Sequence, residues 1–186
     1  MTILIDLRKM RKLLADEIGA SLQAFSTQYP NTPICTLALF GDGFHGKASL
    51  YLDTPDHSAA SVQRLVEKGL AWYGEDDQGR FCNSPCDFPY LIGEYRFAGY
   101  PDLYKTGLMP GHPTVDYVTL EGVRVHVEGA EGNEGNNRMV FPFLRAVLAS
   151  FETFPQLARV APFRAGVRML GSRLLEFWSV EVGESS

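Results

Sequence analysis

Two short apolar runs in the first third of the chain lie too close together to be parallel strands of one sheet. The runs are "ICTLALF" (34–40) and "ASLYL" (48–52), and only "GDGFHGK" separates them. A parallel pair needs a crossover of about a dozen residues or more, whereas a tight turn is enough for an antiparallel pair. The spacing therefore predicts an antiparallel hairpin whose glycines form the turn.

The same stretch differs by one residue from a phosphate-binding loop, G-x-x-x-x-G-K-[ST]. Gly41, Gly46 and Lys47 have the required spacing, but Ala48 occupies the position of the hydroxyl that binds Mg²⁺. The motif must also open onto a helix, whose N-terminal N–H groups complete the anion site. Because a strand-like run follows here, we expect no nucleotide binding through this loop.

Two segments have the spacing of amphipathic helices. In the first, apolar residues recur at every third or fourth position from Leu7 to Tyr29. The second begins after Thr54, which can cap it, has Pro55 at its first helical position, and is expected to end at Gly74. Its expected buried stripe consists of Val62, Leu65, Val66, Leu70 and Tyr73.

A second hairpin is predicted in the middle of the chain. "DYVTLEGVRVHVEG" (116–129) alternates apolar and polar residues, with Glu121 and Gly122 as a two-residue turn. The following "AEGNEGNN" (130–137) has the composition of a flexible loop.

The C-terminal part completes the expected fold. Residues 138–154 predict a helix entered near Pro142, and residues 174–182 predict a closing strand. Residues 156–173 fit either a helix or a pair of strands. Together the elements predict one α+β domain over residues 1–186, with an antiparallel or mixed β-sheet and helices packed on it.

The middle of the chain is acidic and irregular. Residues 42–136 carry seven basic and fifteen acidic side chains, a net charge of −8, whereas the whole chain carries −5. This charge fits either a solvated face or a surface that attracts a basic partner. It disfavours nucleic-acid binding, which needs clustered Lys and Arg. Residues 74–114 scatter prolines among aromatic residues, and long irregular segments of this kind are often functional.

The N-terminus argues against export. No stretch reaches the roughly 18 uninterrupted apolar residues of a membrane span, and Asp6 with four basic residues occupies the place of a signal peptide's apolar segment. We therefore expect a cytoplasmic protein without a membrane partner. Its three cysteines should be reduced thiols.

Two pairs of residues are candidates for chemistry. Cys82 and Cys86 in "CNSPC" could bind a metal, although a structural zinc site needs four ligands and a second pair is absent. Asp53 and His57 in "DTPDH" lie at a strand-to-helix junction that suits a general base or metal ligand, and equally suits helix capping. Because no catalytic or paired metal-binding motif accompanies them, we expect no cofactor.

Arginines concentrate towards the C-terminus, and Arg164, Arg168 and Arg173 are candidates for contact with an anion or a partner. The alternative is that they pair with the acidic middle of the same chain.

The order of these motifs resembles the DUF4303 family of uncharacterised bacterial proteins. The resemblance covers the first helix, "ICTLALFGDG", "ASLYLDTPDH", the second helix with Trp72, and the later helix and terminal strand. It implies a soluble bacterial protein without established catalytic residues, and small α+β proteins of this kind also resemble immunity proteins of toxin systems. The preferred function is therefore a protein-binding module without catalysis, in one form an immunity-type module. The alternative is a metal-dependent or hydrolytic enzyme that uses Cys82 and Cys86 or Asp53 and His57.

Overall fold

The α+β fold class is confirmed by a computed structural model of the chain. The described residues form three α-helices and eight strands arranged in two mixed sheets, where the sequence predicted one. The structure describes residues 2–69, 81–97, 99, 114–151 and 153–182.

Groups of two or three strands separate the three helices along the described chain. The helices are α1 (Leu7–Gln28), α2 (Pro55–Glu67) and α3 (Gly132–Ala149). The strands are β1 (Thr2–Asp6), β2 (Ile34–Asp42), β3 (Lys47–Asp53), β4 (Tyr90–Arg96), β5 (Thr114–Val118), β6 (Arg124–Val127), β7 (Arg159–Met169) and β8 (Leu175–Val180).

The larger sheet has the strand order β4-β3-β2-β7-β8, and the smaller has the order β1-β5-β6. Each sheet contains one parallel pair, β2 with β7 and β1 with β5. The predicted first hairpin is confirmed, because β2 and β3 are antiparallel and pair Gly41 with Ala48. Lys47 begins a strand instead of a helix, so this hairpin lacks the geometry of a phosphate-binding loop.

The two faces of the larger sheet differ in polarity. One face buries alternate residues such as Leu37 and Leu39 with the apolar stripe of α1 and with α3, and each fully buried leucine contributes about 1.5–3 kcal/mol. The stripe of α1 matches the prediction at Leu7, Met10, Leu14, Ile18, Leu22 and Phe25, whereas Tyr29, the last predicted member, follows the helix and is exposed. The other face, called here the polar face, carries Thr36, Ala38, Tyr51, Asp53 and Arg164.

The buried stripe predicted for α2 is confirmed at Val62 and wrong at Val66. The helix buries Ser58, Ser61 and Val62, while Val66 is 54% exposed. The reason is that α2 packs on polar groups, since the Ser58 hydroxyl accepts a hydrogen bond from the Cys82 backbone N–H. The helix ends at Glu67, before the predicted end at Gly74. Leu70, Trp72, Tyr73 and Gly74 lie outside the described residues.

The predicted loop over residues 130–137 is also wrong, because α3 begins at Gly132 and contains Pro142 in its interior. Glycine and asparagine are poor helix formers, but tertiary hydrogen bonds compensate here. The Asn137 side chain accepts from the Gly43 N–H at 3.1 Å and donates to the Leu170 carbonyl at 3.0 Å.

The second hairpin is confirmed with a different turn. The Gly122 N–H donates to the Thr119 carbonyl, and the Thr119 N–H donates to the Val123 carbonyl, which leaves three residues in the loop instead of two. Gly122 has φ +84°, as expected for a glycine that follows a type I turn in such loops.

Strands account for the part of the chain whose structure the sequence left open. Most of residues 156–173 form β7, and β8 lies within the predicted strand 174–182. Of the irregular segment 74–114, residues 90–96 form β4 and residues 85–87 form a short 3-10 helix, whereas residues 74–80, 98 and 100–113 lie outside the described residues. Within the described ranges, no helix is both long and apolar enough to span a membrane.

Candidate functional site

Asp53 is the central residue of the first candidate site. It ends β3, is fully buried on the polar face, and pairs in register with Thr36 of β2. Its Oδ1 accepts hydrogen bonds from the Thr54 N–H at 2.9 Å and from the His57 Nδ1 at 2.7 Å. Thr54 caps α2 by accepting from the His57 backbone N–H, so the predicted capping of α2 by Thr54 is confirmed.

His57 connects Asp53 to a serine that the sequence analysis did not identify. Residues four apart on a helix lie on the same side, and the His57 Nε2 lies 3.4 Å from the Ser61 Oγ. Arg64, one turn further along α2, donates from Nη2 to the same Oγ at 2.8 Å. We call this arrangement the Asp53–His57–Ser61 chain.

The carboxylate of Asp53 is incompletely satisfied. Its Oδ2 is buried and has no hydrogen-bond partner in the described part of the chain. Burial raises the pKa of Asp53 because it disfavours the charged form, and the neighbouring His57 acts in the opposite direction.

A small cavity of about 130 Å³ lies beside Ser61. Its other lining residues are Arg64, Leu65, Lys68 and Asp87. Although Ser61 is only 3% exposed, its side chain therefore borders a space that a small molecule can enter.

The two predicted thiol ligands lie in different environments. Cys82 is fully buried in an apolar cluster with Ala38 and Phe88, whereas Cys86 is exposed. Burial raises the pKa of both thiols, which disfavours the thiolate form that binds metals. Across the described ranges, no group of three or more His, Cys, Asp or Glu side chains is placed to bind a metal ion.

Arg164 contributes to the fold in a way that its sequence position does not indicate. It is 6% exposed, and its guanidinium donates to the Thr36 hydroxyl at 3.0 Å, the Asn83 side-chain oxygen at 2.6 Å and the Cys82 carbonyl at 2.6 Å. The rings of Phe81 and Phe177 lie at 4.4 and 4.3 Å from it. Arg164 therefore binds the segment 81–83 to the polar face of the sheet.

Arg168 and Arg173 line a larger cavity, about 620 Å³ in volume, which we call the arginine cleft. Arg168 is half-buried on β7 and donates from Nη1 to the Asn83 carbonyl at 2.6 Å. Arg173 is exposed in the turn between β7 and β8. Two of the three predicted arginines thus line one cavity, whereas Arg164 is buried beneath it and contacts Asn83, as Arg168 does. The lining of the arginine cleft also includes Phe40, Cys86, Glu134, Leu170 and Ser172.

Two further histidine–aspartate pairs occur away from these sites. The His45 Nδ1 lies 2.6 Å from the Asp42 Oδ2, and the His126 Nδ1 lies 2.6 Å from the Asp116 Oδ1. Arg124 also bonds to Asp116, and the two partners together lower the pKa of Asp116. The His57 pair has, in addition, a serine hydroxyl near the other ring nitrogen.

Sequence reasoning missed Ser61, Arg64 and Asn83. The four-residue spacing from His57 could have indicated Ser61. Asn83 had no such signal, because it meets Arg164 across a separation of 81 positions.

Comparisons of the chain with models of protein families, with curated proteins and with solved structures find no match. The resemblance of the motifs that surround Asp53 to the DUF4303 family therefore stays a prediction.

Proposed function

We propose that the chain is a protein-binding module whose contact surface includes the arginine cleft. The observation that carries this proposal is that Arg168 and Arg173 line one cavity of about 620 Å³. Arginine is enriched at the centres of protein interfaces, where its planar guanidinium binds carboxylates through two hydrogen bonds.

Arg173 is the residue best placed to contact a partner. It is exposed, and it forms no hydrogen bond or ion pair with the residues that the structure describes. Its backbone belongs to the turn that joins two paired strands, so its position is constrained while its side chain can reorient. An incoming carboxylate would not have to displace an existing ion pair at Arg173.

Apolar surface beside the arginines supports a protein partner over a small anion. Leu170 lines the cleft and is 41% exposed, and the nearby Leu175 is exposed to the same extent. Phe40 adds a half-buried aromatic side chain to the lining. A mixture of arginine, aliphatic and aromatic groups is typical of an interface core.

The charge of the cleft favours an acidic segment of that partner. Glu134 also lines the cleft, but Arg138 and the Ser172 hydroxyl both donate to it. Apart from the Cys86 thiol, the cleft has three ionisable lining groups, Glu134, Arg168 and Arg173, which gives a net positive lining in a chain of net charge −5. Opposite charges of this kind increase association rates and specificity.

An immunity-type role is one form of this proposal. It predicts that a neighbouring gene encodes a toxin-like protein and that this protein is the partner. If the partner that is found is unrelated to toxins, the immunity role is excluded and the proposed binding function stands.

The test is to isolate the tagged chain gently from its own host cells and to weigh the complexes by native mass spectrometry. Three forms are compared: the wild type, Arg173→Glu, and the control Arg11→Glu, which changes an exposed arginine of α1 outside the cleft. The partner found with the wild type is then purified, and its dissociation constant is measured by calorimetry with all three.

We expect one protein to be retained by the wild type and by Arg11→Glu, and to bind Arg173→Glu at least tenfold more weakly. Binding should also weaken as salt concentration rises, because charge attraction is screened. Absence of any bound protein, or equal affinity of the two variants, would refute the proposed contact.

A further inference from the structure

The hydrogen bonds of the Asp53–His57–Ser61 chain have one consistent direction. The Thr54 N–H and the His57 Nδ1 lie within bonding distance of the Asp53 Oδ1. With a charged carboxylate there, Nδ1 must carry the hydrogen, so the neutral ring presents the Nε2 lone pair. Nε2 can then accept the hydroxyl hydrogen of Ser61.

Arg64 sets the direction of the hydrogen bonds at the Ser61 end of the arrangement. Its Nη2 donates to the Ser61 Oγ, and because arginine cannot accept a hydrogen bond, the Ser61 hydrogen is left for His57. A serine, its base and the carboxylate that orients the base are thus in the order required for nucleophilic catalysis.

The negative charge of Asp53 favours transfer of the Ser61 proton to His57. Its Oδ2 is buried without a hydrogen-bond partner in the described residues, and Thr54, His57 and the Ser58 side chain interact with the carboxylate. A proton transferred from Ser61 to the ring would place a positive charge 2.7 Å from a desolvated negative one. Attraction between such charges is stronger in a buried site than in water.

We propose that Ser61 is a nucleophile activated by His57 and Asp53, and that the site accepts the acyl group of small esters. Ser61 and His57 would be the catalytic residues, and Asp53 a positioning residue. This inference is independent of the arginine cleft.

The reaction balances with water as the second reactant. The Ser61 Oγ forms a bond to the ester carbonyl carbon while its proton passes to the His57 Nε2. The bond from that carbon to the alcohol oxygen breaks, and His57 returns the proton to the alcohol. Water then attacks the acyl-serine with His57 again as base, which releases the acid and restores the Ser61 hydroxyl. Arg64, whose Nη2 lies 2.8 Å from the Oγ and which lines the cavity, would donate to the developing negative charge.

The volume of the cavity beside Ser61 limits the size of the acyl group that the site can accept. Its volume is about 130 Å³, whereas sites for drug-sized ligands have roughly 300–1,000 Å³. Acetyl or propionyl groups therefore fit, and the alcohol would remain in solvent.

The first test uses methanesulfonyl fluoride, whose methanesulfonyl group is about as large as an acetyl group, and intact-protein mass spectrometry. In the reaction the Ser61 Oγ bonds to sulfur, fluoride leaves, and the proton passes to His57. We expect the wild type to gain one adduct, and peptide mapping of the wild type to place it on Ser61. This mapping does not depend on the folding of any variant.

Three variants then separate chemistry from structure. Ser61→Ala should gain no adduct, and His57→Gln should react about 100-fold more slowly, within the usual contribution of a general base. The control is Ser26→Ala, which removes a helix-surface serine whose hydroxyl bonds to the Gln23 carbonyl, and it should react like the wild type. Thermal melts verify that each variant is folded.

A second readout is hydrolysis of p-nitrophenyl acetate compared with p-nitrophenyl octanoate. The wild type should favour the acetate by at least tenfold, and Ser61→Ala should show only the background rate. No adduct on the wild type, an adduct on another residue, or equal labelling of folded His57→Gln would overturn the proposal.

Discussion

Replacement of Arg164 by alanine is expected to detach the segment 81–83 from the sheet. Three hydrogen bonds from the guanidinium connect β7 to Thr36, Cys82 and Asn83, and two of them have a length of 2.6 Å. The side chain also fills the space between two aromatic rings. Removal therefore leaves unsatisfied acceptors and a cavity at the same place.

The magnitude follows from these contacts. A hydrogen bond to a charged group contributes about 1.5–3 kcal/mol, so three give a gross loss of roughly 4.5–9 kcal/mol. The variant no longer has to bury a cation, and water can enter to satisfy some of the acceptors. We therefore expect the free energy of unfolding to fall by about 3–5 kcal/mol, similar to the loss when a large buried side chain is truncated to alanine. Arg164→Lys should lose an intermediate amount because lysine keeps the charge but has no planar group to stack.

Two assays distinguish local detachment from general destabilisation. Urea unfolding measures the loss of stability, and the control Arg173→Ala should change it by less than about 0.5 kcal/mol because that side chain is exposed. Ellman's reagent then counts reactive thiols under native conditions. Only Cys86 should react rapidly in the wild type, and Cys82 should join it in Arg164→Ala while Cys35 stays protected. A loss below about 1 kcal/mol with Cys82 still protected would refute the reasoning.

Three further predictions concern one charged residue and two glycines. Interaction with Arg8 lowers the pKa of Asp6 to about 2. Asp6→Asn should therefore be less stable than the wild type above pH 4, and this difference in urea midpoint should vanish as the pH falls through 2. A difference that is unchanged at pH 2 would contradict this prediction. A methyl group at Gly166 would lie 2.2 Å from the Phe177 ring, so Gly166→Ala should lose about 1–3 kcal/mol. Gly19→Ala, whose methyl would be 3.9 Å from Phe151 inside α1, should gain about 0.5–1 kcal/mol in the same unfolding assay.

The parts of the fold that local physics determines could be predicted from the sequence. The stripe of α1 was correct at every buried position because six apolar residues share one helical face. The antiparallel pairing of β2 with β3 followed from the short connection between them.

Other elements depend on contacts between distant positions. The start of α3 is stabilised by Asn137, whose partner Gly43 lies 94 positions earlier. The buried side of α2 is a serine face because the Cys82 N–H needs an acceptor there. The strand β1 was missed, although its alternately buried residues, Ile3 and Ile5, follow a strand pattern.

The candidate sites, like the fold, could be predicted where neighbouring positions determine them and not where distant segments meet. Asp53 and His57 are adjacent through a helix turn, so their pairing follows from sequence spacing, and Ser61 extends it by one further turn. The arginine cleft is different, because Arg168 lies in β7, Arg173 lies in the turn that follows, and Cys86 reaches the cleft from another segment. Composition indicated the arginines but not which of them share a cavity.

The segment 81–86 connects the two sites physically. Its Cys82 N–H bonds to Ser58 of α2, the helix that carries Ser61, and its Asn83 carbonyl bonds to Arg168 in the arginine cleft. Arg164 contacts the same two residues from beneath, so one buried cation fixes both connections. A partner that displaced the Arg168 bond would thus alter a segment already bonded to α2. Coupling between cleft and serine requires this segment to have two arrangements, and the thiol of Cys82 is the natural reporter, because it becomes accessible only when the segment leaves the sheet.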